Sequence, residues 1–476
     1  MIVVVIVAPS ADADRPARHI DLRDTDNARI VSGAYYTSRA GDINGDGAED
    51  LLVGDCLGDT WAGEVYVLYG PFSRKRIDLS RPLPEGSGFK IVGGSRRDTA
   101  CRFSGAGDFN GDGLGDVLVG APAADNNARY NSGSAYVVFG KDSGIPVQLR
   151  DFDDGKHEGS GVRIDGAADW NFAGEDVAGL GDVNGDGNAD VAIGAPFASR
   201  TYVIFGSATV TSIDLRMFDL NAQGLAGYVV NTPAPYADNS YSVGAAGDAN
   251  GDGFDDLVVG VYRTTEDPGS AFVVFGKPTG EPVDVEGPTF RGYAMEGPDK
   301  RDTVGYAVGA AGDVNADGLD DVIVGAPAIN CCDVGHGYVI FGKQTEETIS
   351  LGELGSEGID IVGAITRDRT GYSVAGVGDL NRDGFGDVAI GAPYPRPGDD
   401  DRRGAVAVVY GQATGGKIRL KRLARRQGFW VDGVRGGDQF GTSVTGPGDL
   451  NGDGVDDLAF SAHKIGKTFV LFLDDR

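Results

Sequence analysis

Residues 448–460 read GDLNGDGVDDLAF and place Asp449, Asn451, Asp453, Asp456 and Asp457 in one short turn that runs directly into an apolar strand. Carboxylates this close repel one another, and the glycines lose backbone entropy when they are ordered, so the turn calls for a cation. The same turn recurs as GDINGDGAED at 41, GDFNGDGLGD at 107, GDVNGDGNAD at 181, GDANGDGFDD at 247, GDVNADGLDD at 312 and GDLNRDGFGD at 378. The copies stand 66, 74, 66, 65, 66 and 70 residues apart. That period is longer than common solenoid repeats and fits four short strands with their turns.

Around each turn the pattern is constant. A small and apolar segment precedes it, as in DTVGYAVGAAGD at 302–313, and a β-rich run follows, as in DVIVGAP at 321–327. A third strand such as GYVIFG at 337–342 and a fourth such as RGYAMEG at 291–297, GIDIVGA at 358–364 or QGFWVDG at 427–433 complete the unit. No helical period is present. Residues 27–33, NARIVSG, match a fourth strand, whereas the chain ends after a third, at KTFVLFLDDR. The phase mismatch predicts a closed ring in which Ala28 to Ser32 complete the last unit, removing the open edges of a linear β array. The expected fold is all-β: a single seven-bladed β-propeller over residues 28–476, with four antiparallel strands per blade.

Within each turn, side-chain oxygens at positions 1, 3, 5 and 9 and a backbone carbonyl at 7 form the donor pattern of a hard cation of coordination six or seven. The candidate ligands are Asp42, Asn44, Asp46, Ala48 and Asp50 in the first copy and Asp108, Asn110, Asp112, Leu114 and Asp116 in the second. They are Asp182, Asn184, Asp186, Asn188 and Asp190 in the third, and Asp248, Asn250, Asp252, Phe254 and Asp256 in the fourth. The fifth supplies Asp313, Asn315, Asp317, Leu319 and Asp321, and the sixth Asp379, Asn381, Asp383, Phe385 and Asp387. In the seventh they are Asp449, Asn451, Asp453, Val455 and Asp457. An EF-hand would need Glu at position 12, where this chain has Val53, Val119, Ile193, Val259, Val324, Ile390 and Phe460, so the turn is a β-hairpin loop. Up to seven structural Ca2+ ions are expected. Mg2+ fits less well because it holds octahedral geometry and keeps several waters.

Composition agrees. Lys plus Arg is 42 against 71 Asp plus Glu, a formal charge of −29, which argues against nucleic acid as a partner. Glycine is 78 of 476 residues while apolar content is 41%, the mark of a packed, turn-rich chain rather than a disordered one. No run of 18 apolar residues predicts membrane insertion. Residues 1–13 read as a truncated secretory signal peptide or an added strand, and 14–27 as a lead-in.

The repeats resemble the FG-GAP repeats of the integrin α-subunit propeller and its bacterial relatives. Gly-Ala-Pro follows the loop strand at 120–122, 194–196, 325–327 and 391–393, and Phe440-Gly441 gives one clear FG, degraded to Val304-Gly305, Thr370-Gly371 and Asn239-Ser240 elsewhere. The resemblance implies a propeller with calcium in hairpin loops on one face, ligand contacts on the other, and a secreted or cell-surface role in adhesion or recognition of a protein or glycan. Integrin propellers carry metal in only some blades, whereas all seven loops are complete here. The resemblance carries no expectation of integrin-type signalling, since no stalk or membrane segment follows.

The loops opposite the calcium turns hold Tyr35, Tyr36, Trp61, Tyr130, Trp170, Tyr236, Tyr262 and Tyr394, together with Arg96, Arg97, Arg301, Arg367, Arg369, Arg396, Arg402 and Arg403. Exposed aromatics mixed with arginine suit a recognition face. The triplets at 96–98, 300–302 and 366–368 read equally as ion pairs between blades. Cys56 and Cys101 fall near the same end of adjacent blades, where a disulfide is expected, and Cys331-Cys332 is a vicinal pair. Only four scattered histidines occur, with no nucleophile elbow and no phosphate loop, so enzyme readings are disfavoured. A carbohydrate-active propeller and a purely structural surface-layer component remain as alternatives.

Overall fold

The computed structural model describes residues 15–23, 28–56, 61–72, 76–152, 159–209, 212–219, 226–233, 240–262, 268–299, 301–329, 333–394 and 403–473. Residues 1–13, Cys331-Cys332, Tyr236, Arg396 and Arg402 lie outside them. Seven separate sheets arranged in a ring make a seven-bladed β-propeller. In blade 2 the antiparallel strands are Arg102–Gly107, Asp116–Ala121, Ser134–Val138 and Gly161–Asp165. The second and third of these are buried throughout, which is why they read as unbroken apolar runs.

The first strands crowd around the axis and are built of small residues for that reason. A Cβ on Gly179 would run into the carbonyl oxygen of Gly105 on the preceding blade. The paired Gly motifs have the same cause: Gly371 sits at φ +91°, and a Cβ on Gly325 of the preceding blade would collide with its carbonyl oxygen. Seven apolar clusters fill the seven seams between neighbouring blades. The seam joining the chain ends is no exception, with Val31, Leu51, Val53, Leu450, Ala459 and Val470 in one cluster.

Each sheet has five strands, not four. The segment between the third and fourth strands of one blade swings outward and lays a short parallel strand on the previous blade's fourth, as Ser212–Asp214 does on Gly161–Asp165. These added strands run two to four residues and carry no alternation that would mark them in the sequence. The N-terminal segment consequently closes the ring twice. Arg18–Asp21 is the fifth strand of blade 6, parallel to Gly428–Asp432, and Ala28–Ser32 is the fourth strand of blade 7, antiparallel to Lys467–Leu471. Helix among the described residues is limited to the four-residue turn Arg216–Asp219 and short 3-10 segments, and no described helix is long and apolar enough to cross a membrane.

Candidate functional site

All seven aspartate turns lie between the first and second strands of their blades, on one face of the ring. Asp42 organises the first. Its Oδ1 accepts the N–H groups of Gly45 and Asp46 and its Oδ2 that of Gly47, while Asp46 Oδ1 accepts from Ala48 at 2.9 Å. Asn44 Oδ1 accepts from Asp46 and its amide donates to Asp46 Oδ2. The other six repeat this pattern with minor changes, as in the seventh, where Asp449 accepts from Gly452, Asp453 and Gly454.

Position 9 does something spacing alone did not reveal. Asp50 Oδ2 accepts from Ile43 inside its own loop and Oδ1 accepts from Gly70 at the end of the third strand, so this carboxylate ties the hairpin to the blade. Asp116, Asp190, Asp256, Asp321 and Asp387 make the same two bonds. All seven position-9 side chains are fully buried. Burial, followed by repulsion from the position-1 and position-5 acids, pushes Asp50, Asp116, Asp190, Asp321 and Asp387 up to about 7 and Asp256 and Asp457 up to about 8. No cationic side chain is among the main influences on any of them.

The loops also touch one another. The position-8 N–H of one blade donates to the position-1 carbonyl of the blade before: Gly115 to Asp42, Ala189 to Asp108, Asp255 to Asp182, Asp320 to Asp248 and Gly386 to Asp313. The carboxylates of Asp255 and Asp320 add bonds to the N–H groups of Asp182 and Asp248. Among the described residues no three acidic, His or Cys side chains converge into a ready coordination shell, because loop N–H groups occupy the oxygens. In donor type, spacing and uncompensated charge the seven sets nevertheless suit a divalent cation, since three carboxylates with no partner cation are costly to hold together.

The opposite face is built from the connections between strands 2 and 3 and between strands 4 and 1. Tyr130 and Trp170 pack edge to face at 4.7 Å, Trp170 lies 6.1 Å from Phe172, and Phe172 lies 5.0 Å from Phe197. Tyr130, Trp170 and Phe197 are each more than half exposed. Trp170 and Phe172 adopt φ of 63° and 51°, a left-handed backbone that bulky residues avoid. Over blades 4 to 6 runs a second set, Tyr262 to Tyr306 at 4.8 Å, Tyr306 to Tyr372 at 5.0 Å and Tyr372 to Tyr394 at 6.3 Å, with the Arg369 guanidinium 3.9 Å above Tyr394. Burial and then the neighbouring Tyr372 raise the Tyr306 phenol. Tyr35 and Tyr36 flank His463 at the chain-end seam, and Trp61 stands exposed at φ 56°.

Phe172, Phe197, Tyr306 and Tyr372 were not among the residues expected from sequence. The available signal was a tyrosine seven residues before the first loop aspartate, shared by Tyr35, Tyr241, Tyr306 and Tyr372. Among the described residues the triplet arginines Arg96, Arg97, Arg301 and Arg367 form no ion pair between blades. Asp98 and Asp368 turn inward to accept N–H groups of their own turns, from Ser95 and from Ile365 and Thr370, while Arg97, Arg301 and Arg367 sit at positive φ without an ion pair to any described residue. Arg403 is different, reaching Asp21 at 3.2 Å. Cys56 and Cys101 form the expected disulfide between blades 1 and 2, with Cα atoms 5.2 Å apart.

Comparison with known proteins agrees with this architecture. The FG-GAP repeat family matches residues 34–68, 103–138, 173–210, 240–274, 304–337 and 370–409, the cores of the first six blades. The chain is 34% identical to integrin alpha-5 of Xenopus laevis over 238 residues, covering 48% of this chain and 20% of that protein. It is 33% identical to integrin alpha pat-2 of Caenorhabditis elegans over 251 residues, covering 48% and 18%. With human integrin alpha-8 it shares 31% identity over 297 residues, covering 60% and 25%. The matched region thus spans a quarter or less of these relatives' own length. A solved streptogramin B lyase structure overlays 94% of this chain at 9% identity with a TM-score of 0.47, and no function is carried over from it.

Proposed function

The chain belongs to the FG-GAP repeat propellers of the integrin α kind, and on that premise we propose that it is a calcium-stabilised extracellular recognition protein that binds a protein ligand through the face opposite the aspartate turns. The observation that carries the recognition role is the aromatic group of exposed Tyr130, Trp170 and Phe197 around half-buried Phe172, with Trp170 and Phe172 held on left-handed backbone. Exposed rings of this size lower solubility, and bulky residues at positive φ cost about 1–3 kcal/mol each, so folding alone does not account for them. Broad, rigid aromatics surrounded by polar loops are the anchors protein interfaces use.

The seven loops support the calcium part of the reading. The oxygens of positions 1, 3, 5, 7 and 9 would hold the ion, which supplies the positive charge that the buried position-9 carboxylates lack. Because adjacent loops are hydrogen-bonded at five of the seven seams, this charge would steady those seams as well as each hairpin. The Cys56–Cys101 disulfide fits an oxidising compartment outside the cytosol.

Probing an array of extracellular proteins and glycans in millimolar Ca2+, with the wild type and with Trp170→Ser, tests the proposal. Capture of a protein by the wild type, weakened at least tenfold by Trp170→Ser at unchanged melting temperature, is expected. Equal capture by both, or capture of glycans alone, would overturn the assignment of that face to a protein ligand.

A further inference from the structure

The seven repeats serve as controls for one another, and one of them departs in charge. The fifth strand of each blade ends at a turn whose capping position is Asp21, Asp78, Asp214 or Asp284 in four blades, and the uncharged Gln148 and Ser350 in two more. These four aspartates accept the N–H of the residue two positions on: Arg23, Ser80, Arg216 and Glu286. On blade 5 the position is Arg419, paired with Val362, and the following 3-10 turn Leu420–Arg422 has no side-chain cap. A hydrogen-bonded cap has been given up for a cation.

The change is not isolated. Residues 415–426, GGKIRLKRLARR, carry six cations and no acid in a chain of formal charge −29. Lys417, Arg419, Lys421, Arg422, Arg425 and Arg426 are all exposed. Lys417 pairs with Asp360 at 2.7 Å, whereas Arg419, Lys421 and Arg422 make no ion pair with a described residue. Beside them the N-terminal lead-in is pinned by Ala17 N–H to the Leu423 carbonyl and Arg425 N–H to the Arg15 carbonyl, both 2.8 Å. Between lead-in and turn lies a cleft of about 440 Å3 with Arg15, His19, Lys421 and Arg422 on its walls and an apolar floor that includes Ile365 and Leu420. Among the described residues no carboxylate lines it. His19 stacks on the buried Trp430 at 6.2 Å and is held by Asp432 at 2.9 Å.

We infer that this outer cleft at the seam of blades 5 and 6 binds an acidic polysaccharide, a chain of sugars bearing carboxylate or sulfate groups. Cationic walls meet the anionic groups, and the apolar floor meets the C–H faces of the rings. The volume falls within the range of small-ligand sites, about 300–1,000 Å3, so it admits a few sugar units but neither a nucleic-acid duplex nor a bilayer surface. The strongly negative remainder of the molecule would confine a polyanion to this patch. The site is distinct from the aromatic face.

Binding of fluorescent heparin oligosaccharides, a soluble polyuronate, neutral dextran, single-stranded dT20 and phosphatidylglycerol vesicles, measured in 150 mM NaCl, tests the inference. Expected are binding of the two acidic glycans, none of dextran, and at least a tenfold loss in Lys421→Glu/Arg422→Glu with an unchanged melting temperature. The milder Lys421→Gln/Arg422→Gln should lose less, in proportion to charge removed. Undiminished glycan binding by the double variant, binding of dT20 or vesicles as tight as that of the glycans, or no glycan binding at any salt concentration would overturn it. So would self-association abolished by the same substitutions, since the patch would then be an interface between copies.

Discussion

The two faces of the ring are made by the same seven blades and treat them in opposite ways. On the aspartate face every blade presents the same nine-residue turn, the same fully buried position-9 carboxylate and, in most seams, the same N–H bond to its neighbour. On the other face the blades differ: exposed rings gather on blades 2 and 3, a tyrosine row runs over blades 4 to 6, and a disulfide lies between blades 1 and 2. Repetition marks what the fold needs at every seam. Divergence on an equally repetitive scaffold marks what is free to be specialised.

That contrast is broken most directly by removing calcium. Each site contributes RT ln(1 + [L]/Kd), about 1.4 kcal/mol at ten times Kd, and seven acting on one cooperative ring should shift the melting temperature by about 10 °C. Calorimetry in Ca2+ and in EDTA should show this shift. A melting curve indifferent to EDTA would make the repeated face a self-sufficient set of hydrogen-bonded turns.

Next in size is the loss of one position-9 carboxylate. Asp256→Ala leaves the buried N–H of Ala249 without its acceptor, at about 1–3 kcal/mol, and the half-buried N–H of Gly276 without its own at a smaller cost. Equilibrium dialysis should find one Ca2+ fewer per chain and calorimetry a lower melting temperature. An unchanged stoichiometry would remove position 9 from the ligand set.

The pH response sharpens the comparison further. The position-9 carboxylates titrate at about 7 to 8 in the folded chain, against an ordinary value of 3.8. The folded state then binds more protons than the unfolded one between these values. This contribution to stability is full below pH 4 and is lost as pH rises through 7 to 8. In EDTA the melting temperature should therefore fall between pH 5 and pH 8. With saturating Ca2+, which favours the ionised form, the fall should disappear, and a fall of equal size in both buffers would count against calcium at these carboxylates.

Much of the repeated face was legible in the sequence, because one geometric demand imposed seven times leaves one spelling. DxNxDGxxD located each hairpin, and the phase mismatch between NARIVSG and the last strand located ring closure at Ala28–Ser32. The fifth strands were not legible. Val147–Gln148 and Val283–Asp284 are two residues long and pair with a different blade, so neither periodicity nor neighbouring turns announce them. The arginine triplets misled for a related reason: the functional member is the aspartate that caps its own turn, while its arginine neighbour merely occupies an exposed left-handed position. The aromatic group was visible only in part because Tyr130, Trp170 and Phe197 come from three separate connections.

The finest test of the contrast is a substitution whose effects on the two properties have opposite sign. Trp170 stands at φ 63°, so Trp170→Gly removes backbone strain of about 1 kcal/mol but also gives the unfolded chain more freedom to lose. The net change in melting temperature should be within about 1 °C. On the same variant the exposed edge-to-face pair with Tyr130 is gone, and with it the anchor proposed for the ligand, so affinity should fall at least tenfold. A strained residue retained for packing would behave otherwise: its loss would lower the melting temperature by several degrees and leave affinity untouched. Measuring both quantities on one variant therefore distinguishes a face specialised for recognition from one that is merely irregular.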